Sequence, residues 1–328
     1  RAIQGTDFIY NNSHVIFLLG SNAAETLIGG SLADPIVGNG GNDILIGGTG
    51  ADAISGGAGA DRFVYQSRAD SVQGSLDNLY DFETGTDTID LTALNTTAAT
   101  IIRSADGSTF VFADTAAGQF VTSGALRPIN GHDLVGINHG VFMQGSDGAD
   151  FLIGSQRSDT IVGGAGNDLI VGFGGADTLI GGTGADIFVF YGGDSPVTGQ
   201  DVLQDFQSGV DKIDLRSVRT GASDVFNIVN TGGISTLFVD LGNNGSNDLV
   251  IQITNTNIVA SDILWTAGGA ALEDTVKVPA PEVLPVEGLD FGADDATLDG
   301  FAPHTGRFML DLDPNVGTGF YHGQDWYL

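Results

Sequence analysis

The chain has 328 residues, a formal net charge of −30 at pH 7 and 41% hydrophobic residues, which is enough for packed cores in two or more domains. Its 11 basic residues are scattered, whereas nucleic-acid binding needs clustered Lys and Arg, so nucleic acid is excluded as a partner. The sequence has no cysteine, which rules out disulfides, thiolate metal sites and cysteine nucleophiles.

The acidic residues are the dominant ionic groups, with 41 Asp and Glu in the chain. Such a surplus of carboxylates repels itself in a folded protein unless cations neutralise it, which points to a divalent metal. The 51 glycines indicate many tight turns. The sequence has no 18-residue apolar run and no apolar segment at its start, so we expect neither a membrane span nor an N-terminal Sec signal.

After a lead-in segment at residues 1–21, a nine-residue period begins. Its first block covers residues 20–64 and its second covers residues 145–189, with five units in each. Each unit has a six-residue turn ending in an acid, then three strand residues whose middle member is apolar. Two units are predicted to form one coil of a flattened solenoid, with parallel strands and one inward side chain per unit. The inward residues are Leu27, Ile36, Leu45, Ile54, Phe63, Leu152, Ile161, Ile170, Leu179 and Phe188.

The acids of successive coils are expected to line up in rows in which neighbouring acids are about 4.8 Å apart, the spacing of stacked strands. Without a cation, the acids of such a row repel one another. Ca²⁺ prefers six or more oxygen ligands, which two Asp side chains and nearby turn carbonyls supply. Glycine at the fourth position of a turn leaves φ free, so that the carbonyls can converge. The predicted calcium-binding residues are Asp34, Asp43, Asp52, Asp61, Asp150, Asp159, Asp168, Asp177, Asp186, Gly41, Gly50, Gly59, Gly148, Gly166, Gly175 and Gly184.

Each block is followed by the pattern D-x-x-x-D-F-x-x-G-x-D-x-I-D-L, at residues 77–91 and 201–215. Residues 107–114 and 234–241 then alternate apolar and polar residues, which predicts antiparallel strands that cap the open ends of the rolls. The lead-in segment resembles residues 127–146, giving a repeat of about 125 residues. We predict two modules, residues 1–126 (roll 20–64, cap 65–126) and residues 127–266 (roll 145–189, cap 190–266).

The unit pattern G-G-x-G-x-D-x-U-x, with U a large apolar residue, is that of the calcium-binding repeats of RTX proteins. Together with the pattern after each block, it makes most of residues 20–266 similar to the C-terminal region of serralysin-type secreted proteins. The resemblance implies an all-β fold of two tandem calcium-binding parallel β-rolls, each followed by an antiparallel cap. It also implies a secreted protein, located outside the cell or at its surface.

Some turns depart from the pattern. Glu25 replaces the first Asp, and Ala23, Leu32 and Arg157 replace the fourth-position glycine, which weakens or removes the sites that use those turns. We expect roughly six to eight Ca²⁺ ions, including one or two where the last turns meet acids beyond the blocks. Those acids are Asp70, Asp77, Asp194 and Asp201.

Beyond the second module, residues 267–288 form a Pro-rich linker, expected to be an extended tether, and residues 289–328 form an acidic tail. The chain ends in Asp325, Trp326, Tyr327 and Leu328. One acid followed by three apolar residues resembles the terminal motif of type I secretion substrates, although a packing tail has the same composition. We hypothesise that the tail docks on its own rolls or on a neighbouring subunit.

Catalytic motifs are missing from the sequence. None of the five histidines has a partner four residues away, and no G-x-S-x-G or phosphate-binding loop is present, so we predict no enzyme activity within this chain. His14 and His139 precede the two rolls at equivalent places, where packing in the cap is favoured over metal ligation. Paired acids such as Asp87 and Asp90 follow from the abundance of acids and do not indicate a glycosidase.

These observations favour a secreted calcium-binding structural or assembly protein, such as a surface-layer, filament or adhesin subunit. Its expected partners are calcium, the type I secretion machinery and either copies of itself or a cell-surface partner. The alternative is the non-catalytic C-terminal secretion and folding region of a larger secreted protease, lipase or polysaccharide-modifying enzyme. A third reading, polysaccharide-binding modules like those of alginate-epimerase-like proteins, is opposed by a charge of −30 that repels anionic polymers.

Overall fold

A computed structural model of the chain describes residues 3–4, 15–124, 128–219 and 221–265. Within these residues there is no α-helix, and short 3-10 helices lie at Thr92–Leu94, Gly131–Asp133 and Ala260–Asp262. The all-β prediction is therefore confirmed. The strands are β1 Ile3–Gln4, β2 Leu18–Leu19, β3 Thr26–Ile28, β4 Pro35–Val37, β5 Ile44–Ile46, β6 Ala53–Ser55, β7 Arg62–Val64, β8 Asn78–Leu79, β9 Thr88–Asp90, β10 Ala98–Arg103, β11 Thr109–Thr115, β12 Gly118–Gly124, β13 Leu134–Val135, β14 Val141–Gln144, β15 Phe151–Ile153, β16 Thr160–Ala165, β17 Leu169–Val171, β18 Thr178–Thr183, β19 Ile187–Val189, β20 Asp201–Leu203, β21 Lys212–Asp214, β22 Val225–Thr231, β23 Ile234–Asp240, β24 Leu249–Thr254 and β25 Ile263–Leu264.

Alternate strands of each repeat block stack in parallel. In the first block β3 pairs with β5 and β5 with β7, while β4 pairs with β6 on the opposite face. The second block repeats this arrangement, with β15, β17 and β19 on one face and β16 and β18 on the other. Strands two units apart are therefore neighbours, which confirms two nine-residue units per coil and two parallel β-rolls.

The interior of each roll is filled by the predicted inward residues. All ten are at most 1% exposed, because a three-residue strand directs its middle side chain to one face and its flanking side chains to the other. The phenylalanine of the last unit in each block also packs on the Phe of the following D-F pattern: the ring centroids are 5.7 Å apart for Phe63 and Phe82, and 6.0 Å for Phe188 and Phe206. The pattern that follows each block therefore belongs to the same core.

The parallel stacks continue beyond the predicted roll ends at residues 64 and 189. Strand β8 adds to β6 and β9 adds to β7, while β20 and β21 add in the same way to β18 and β19. The extra strands bring buried residues such as Leu79 and Ile89 into line with the inward residues of the blocks. Each roll thus gains a coil from the D-F pattern. The division of the chain into modules at residues 126 and 127 remains a prediction.

One 14-stranded sheet passes through both rolls, in the order β2-β4-β6-β8-β12-β11-β10-β14-β16-β18-β20-β24-β23-β22. The antiparallel strands β10, β11 and β12 lie between the rolls: β12 pairs in parallel with β8, and β10 pairs in parallel with β14. The opposite faces are separate sheets of six and five strands. The first predicted cap therefore joins the two rolls instead of only covering an open end.

The predicted linker at residues 267–288, the tail at residues 289–328 and His14 lie outside the described residues. Across the part of the chain that the structure describes, no helix is long and apolar enough to cross a membrane.

The need for glycine in the turns can be tested by comparing alanine substitutions at two positions of nearly equal backbone conformation. Gly166 (φ +122°) and Gly118 (φ +123°) both lie in the left-handed region, but a Cβ at Gly166 is 2.5 Å from the carbonyl carbon of Gly148, whereas one at Gly118 has Arg68 Nη1 at 3.5 Å as its nearest neighbour. Both alanine variants bear a conformational cost of about 1–2 kcal/mol. We expect Gly166→Ala to lose a further 1–3 kcal/mol or so from overpacking, measured by denaturant unfolding with saturating calcium. Equal losses would contradict close stacking of the turns.

Candidate calcium sites

The acids that end the turns form four rows along the edges of the rolls, and successive members within a block are 18 residues apart. Rows 1 and 2 belong to the first roll, and rows 3 and 4 to the second. Row 1 is Asp34, Asp52 and Asp77; row 2 is Glu25, Asp43, Asp61 and Asp87; row 3 is Asp159, Asp177 and Asp201; row 4 is Asp150, Asp168, Asp186 and Asp211.

Each row is held by a repeated hydrogen bond. The backbone N–H of one acid donates to Oδ1 of the acid in the next coil, for example from Asp34 to Asp52 at 2.7 Å and from Asp52 to Asp77 at 2.8 Å. The same bond joins Asp159 to Asp177 at 2.8 Å. Because the bond runs along the stacking direction, it fixes each carboxylate directly beside the next turn. The predicted rows of acids are therefore present in the structure.

The downstream ends of rows 1 and 3 are closed by a serine. The N–H of Asp77 donates to Ser71 Oγ at 2.8 Å, and the N–H of Asp201 donates to Ser195 Oγ at 2.7 Å. Each serine hydroxyl in turn donates to a carbonyl of the antiparallel flank, that of Val121 for Ser71 and that of Val250 for Ser195. These contacts tie the ends of the rows to the caps.

The second carboxylate oxygen of most row acids is buried and has no hydrogen-bond partner. Burial of an unpaired carboxylate oxygen is costly unless a donor or a cation reaches it. This is the strongest indication in the molecule that a cation belongs between the coils. The affected atoms are Oδ2 of Asp43, Asp52, Asp61, Asp77, Asp168, Asp177, Asp186 and Asp201.

The pKa values of these acids show the same electrostatic conflict. Burial, reinforced by the charge of Asp52, raises the pKa of Asp77 to about 9. Burial also raises the pKa of Asp201 to about 8 and that of Asp177 to about 7, with the neighbouring row acids adding to both shifts. A bound divalent cation would reverse this effect, because it favours the ionised carboxylates.

The predicted turn glycines adopt the conformation expected of them, with one exception. Gly41, Gly50, Gly59, Gly166, Gly175 and Gly184 all have φ between +103° and +142°. They also leave no room for a side chain, since a Cβ on Gly184 is 1.6 Å from the carbonyl oxygen of Gly166. Gly148, in the first turn of the second roll, is not among the positive-φ glycines, and a Cβ there has only Ser146 Oγ at 3.6 Å. No further coil precedes that turn, so it is less restricted than predicted.

The oxygen atoms available between the coils fit calcium, although they do not form a compact cluster of carboxylates. In the described part of the chain, no group of three or more His, Cys, Asp or Glu side chains is placed to hold a metal ion. Each gap between coils instead offers two carboxylates of one row and the carbonyls of glycine-rich turns. All of these donors are oxygens, which is the ligand preference of Ca²⁺.

The turns that depart from the repeat pattern lie at the upstream ends of the rows, and their acids are already hydrogen-bonded. Asp34 Oδ2 accepts from the N–H of Gly30 at 2.6 Å, and Asp159 Oδ2 accepts from the N–H of Ser155 at 2.5 Å. The carboxylate of Glu25 accepts from both the N–H and the hydroxyl of Ser21. These acids do not have the partnerless oxygen found further along each row.

Asp87 and Asp211 are row members that the sequence reasoning missed. Asp61 donates its N–H to Asp87 at 2.9 Å, across 26 residues, and Asp186 donates to Asp211 at 3.1 Å, across 25 residues. The longer intervals break the nine-residue count, although the D-x-I-D-L ending of the D-F pattern was available as a signal. The second acid of that ending leaves the row, since Asp90 pairs with Arg62 and Asp214 with Arg216.

His139 is within hydrogen-bond distance of two protein atoms. One ring nitrogen is 2.9 Å from Thr96 Oγ1 and the other is 2.8 Å from the carbonyl oxygen of Gly140. Both ring nitrogens therefore have protein partners, and the packing interpretation remains a prediction.

A family model described as "Peptidase M10 serralysin C terminal" matches residues 21–120 and 156–265. A search of curated proteins gave no match.

Among solved structures, the R3 subunit of the Azotobacter vinelandii mannuronan C5-epimerase AlgE6 is similar, with 25% identity over 40% of this chain and 80% of its own and a TM-score of 0.33. The R2 subunit has 23% identity over 38% of this chain and 90% of its own, with a TM-score of 0.27. The extracellular lipase LipA from Serratia marcescens has 18% identity over 80% of this chain and 42% of its own, with a TM-score of 0.24.

The raised pKa values predict how the calcium-free protein responds to pH. Folded Asp77 and Asp201 titrate near 9 and 8, while an unfolded Asp titrates near 3.9, so the folded state binds more protons between these limits. The stability that these two carboxyl groups contribute to the calcium-free fold should therefore be fully present below about pH 4 and be lost as pH rises towards 9. Circular dichroism of decalcified protein at pH 5 and pH 8.5 checks this. A strand signal that grows with pH would contradict the proposed electrostatic conflict.

Proposed function

Because this chain belongs to the serralysin C-terminal family, whose RTX repeats bind calcium, we propose that it is a secreted calcium-folded protein with a structural or assembly role. Surface layers, filaments and adhesins are the settings in which such a role occurs. The observation that carries the proposal is the set of buried, partnerless carboxylate oxygens along the four rows. They make the rolls dependent on a cation that the cell exterior supplies.

We assign one calcium position to each gap in which consecutive row acids face each other across a coil. The ligands proposed for a gap are two carboxylates and the carbonyls of the adjoining turns, as for Asp52 and Asp77 in row 1. The four rows contain ten such gaps, more than the six to eight ions expected from the repeats. Eight partnerless oxygens lie in the described residues, four in each roll, and the number of ions remains a prediction. The proposed carboxylate ligands are the nine predicted Asp residues with Asp77, Asp87, Asp201 and Asp211 added.

Calcium acts in this proposal as a switch between an exportable and a folded chain. Free calcium in the cytosol is far below the roughly 10⁻⁴–10⁻³ M affinity of extracellular calcium modules. The row acids then remain uncompensated, and the rolls cannot form. Outside the cell, calcium binds only the folded rolls, so its binding free energy becomes folding free energy.

The proposed export route is type I secretion, with the signal in the predicted tail at residues 289–328. In this scheme the modules at residues 1–126 and 127–266 are the structural units, and residues 267–288 separate them from the signal. Partners beyond calcium and the secretion machinery would be copies of this protein or a cell-surface component.

Calcium titration of the purified protein tests the folding switch. At pH 8.5, we expect chelation to sub-micromolar free calcium to abolish the strand signal in circular dichroism, and calcium in the millimolar range to restore it. Asp177→Asn should raise the calcium needed for half-maximal folding at least about tenfold, because even residues that merely orient metal ligands contribute about 10–100-fold to affinity. Asp106→Asn is the control, since Asp106 is exposed and outside the rows.

Native structure that persists at pH 8.5 without calcium would contradict the switch. An equal effect of the two substitutions would show that the rows have no special part in calcium binding, and would reduce the proposal to a general charge effect.

The family model itself favours a second function, because it describes the C-terminal region of a peptidase family. In that case this chain is the non-catalytic folding and secretion region of a larger secreted enzyme. The two functions share calcium-dependent folding and differ in what precedes Arg1. The mass of the protein isolated from its native source distinguishes them, since the enzyme requires a substantially heavier polypeptide with a catalytic domain.

A further inference from the structure

The upstream end of row 4 differs from the starts of rows 1 and 3. In rows 1 and 3 the first carboxylate, Asp34 or Asp159, accepts at Oδ1 from a backbone N–H of the lead-in segment, that of Ile16 or Val141 at 2.7 Å. At Asp150, Oδ1 instead accepts from Arg103 Nη1 at 3.2 Å. The donor to the first acid of row 4 is therefore a positively charged guanidinium, whereas in rows 1 and 3 it is a neutral backbone amide.

Arg103 reaches Asp150 from the other module. It is the last residue of β10, whose backbone pairs with β11 in the flank of the first roll and with β14 in the second. The side chains of Arg103 and Asp150 are each only 10% exposed. The ion pair is therefore part of the packed junction and is not a surface contact, so solvent screens it little.

The guanidinium also holds the segment that connects the modules. Nη2 of Arg103 donates to Asn130 Oδ1 at 2.9 Å, and the same oxygen accepts from the N–H of Ile153 at 3.2 Å. Asn130 precedes the short helix Gly131–Asp133, and Ile153 ends β15, the first strand of its sheet. One side chain thus joins the flank of the first roll, the connecting segment and the first coil of the second roll.

The carboxylate of Asp150 is fully partnered without a metal ion on its upstream side. Oδ1 accepts from Arg103, and Oδ2 accepts from the N–H of Ser146 at 2.6 Å and from its hydroxyl at 2.9 Å. The next acids of row 4, Asp168 and Asp186, have a buried Oδ2 with no partner. The charge of row 4 is therefore balanced by the protein at its first acid and left unbalanced further along.

The pairing is specific to the junction. Asn230 occupies the position of Arg103 in the second module, because Asn230 pairs with Ser235 in β23 as Arg103 pairs with Thr109 in β11. Among the ion pairs in the described residues, that between Arg103 and Asp150 is the one that involves a row acid. In the first module, whose flank is followed by a second roll, this position is an arginine. In the second module it is a neutral amide, and the described residues contain no further roll after it.

We propose that Arg103 is a built-in cation that neutralises the first acid of the second roll, so that the first coil of this roll forms on the flank of the first module and lowers the calcium needed to fold the rest. Arg103 is a positioning residue in this scheme and does not itself bind calcium. The inference rests on the proposed calcium-dependent folding and adds a coupling between the modules: once the first module is folded, it presents a preformed end to the second.

The tryptophan content of the chain gives a reporter for the second module. Trp265 packs on Phe226, with ring centroids 5.1 Å apart, and Arg219 lies 5.5 Å from its ring centroid. The other tryptophan is Trp326, and Trp326→Phe in the full chain leaves Trp265 as the sole indole. Its fluorescence during calcium titration then follows folding of the second module.

We expect Arg103→Met in this background to raise the calcium concentration at the Trp265 midpoint at least tenfold, because loss of one partner leaves the other as a buried, unpaired charge. Arg103→Lys should give an intermediate shift, since it keeps the charge but lacks the planar fork that binds Asp150 and Asn130 together. Arg62→Met is the matched control. It removes an arginine paired with Asp90, but the Arg62 side chain is 48% exposed and lies in the first module, so the midpoint should stay within about twofold of the parent, as for exposed ion pairs.

An unchanged midpoint in Arg103→Met, or equal shifts in Arg103→Met and Arg62→Met, would overturn the proposal. If Arg103→Met does not fold even in millimolar calcium, Arg103→Lys decides: an intermediate midpoint supports the proposal, and a midpoint equal to that of the parent overturns it. A Trp265 signal of the parent chain that does not respond to calcium would instead refute the proposed function itself. The two failures are therefore distinguishable.

Discussion

The structure depends on carboxylates that are stacked one coil apart and removed from water. Each row acid receives a backbone hydrogen bond on one oxygen, and this bond sets its position without neutralising its charge. The other oxygen is left buried and unpaired in much of every row. A fold built on this arrangement is incomplete as a polypeptide alone, because apolar packing inside the coils has to overcome repulsion along their edges.

The same repetition that creates the rows also supplies the means of closing them. Apolar residues fill the narrow interior of each roll, and glycine allows the turns to approach to within contact of each other's backbone. The D-F pattern then extends the rows with Asp77 and Asp87. Ser71 accepts a hydrogen bond from the N–H of Asp77 and donates one to the antiparallel flank. Rolls, rows and flanks thus form one hydrogen-bonded unit, so calcium bound at the edges is coupled to the core.

The nine-residue period was sufficient to predict the rolls, their inward residues and the rows of acids, because every unit contains one turn and one strand at the same positions. The membership of Asp87 and Asp211 was not predicted, since an insertion changes the interval from 18 to 26 or 25 residues. The role of Arg103 was also inaccessible, because it depends on β10 lying beside β14, a pairing between segments about 40 residues apart that no local pattern encodes. Assignment of individual residues to calcium remains a prediction.

The sheet that runs through both rolls has a mechanical consequence. Tandem domains usually connect through linkers and small polar interfaces, and they reorient freely. Here β10 and β14 share backbone hydrogen bonds over the register Ala99 to Val141 and Ile102 to Gln144, so the second roll continues the twist of the first. The pair therefore bends and rotates as one unit at this junction, and a pulling force along the stacking direction is borne by main-chain hydrogen bonds loaded along their length rather than by a flexible hinge.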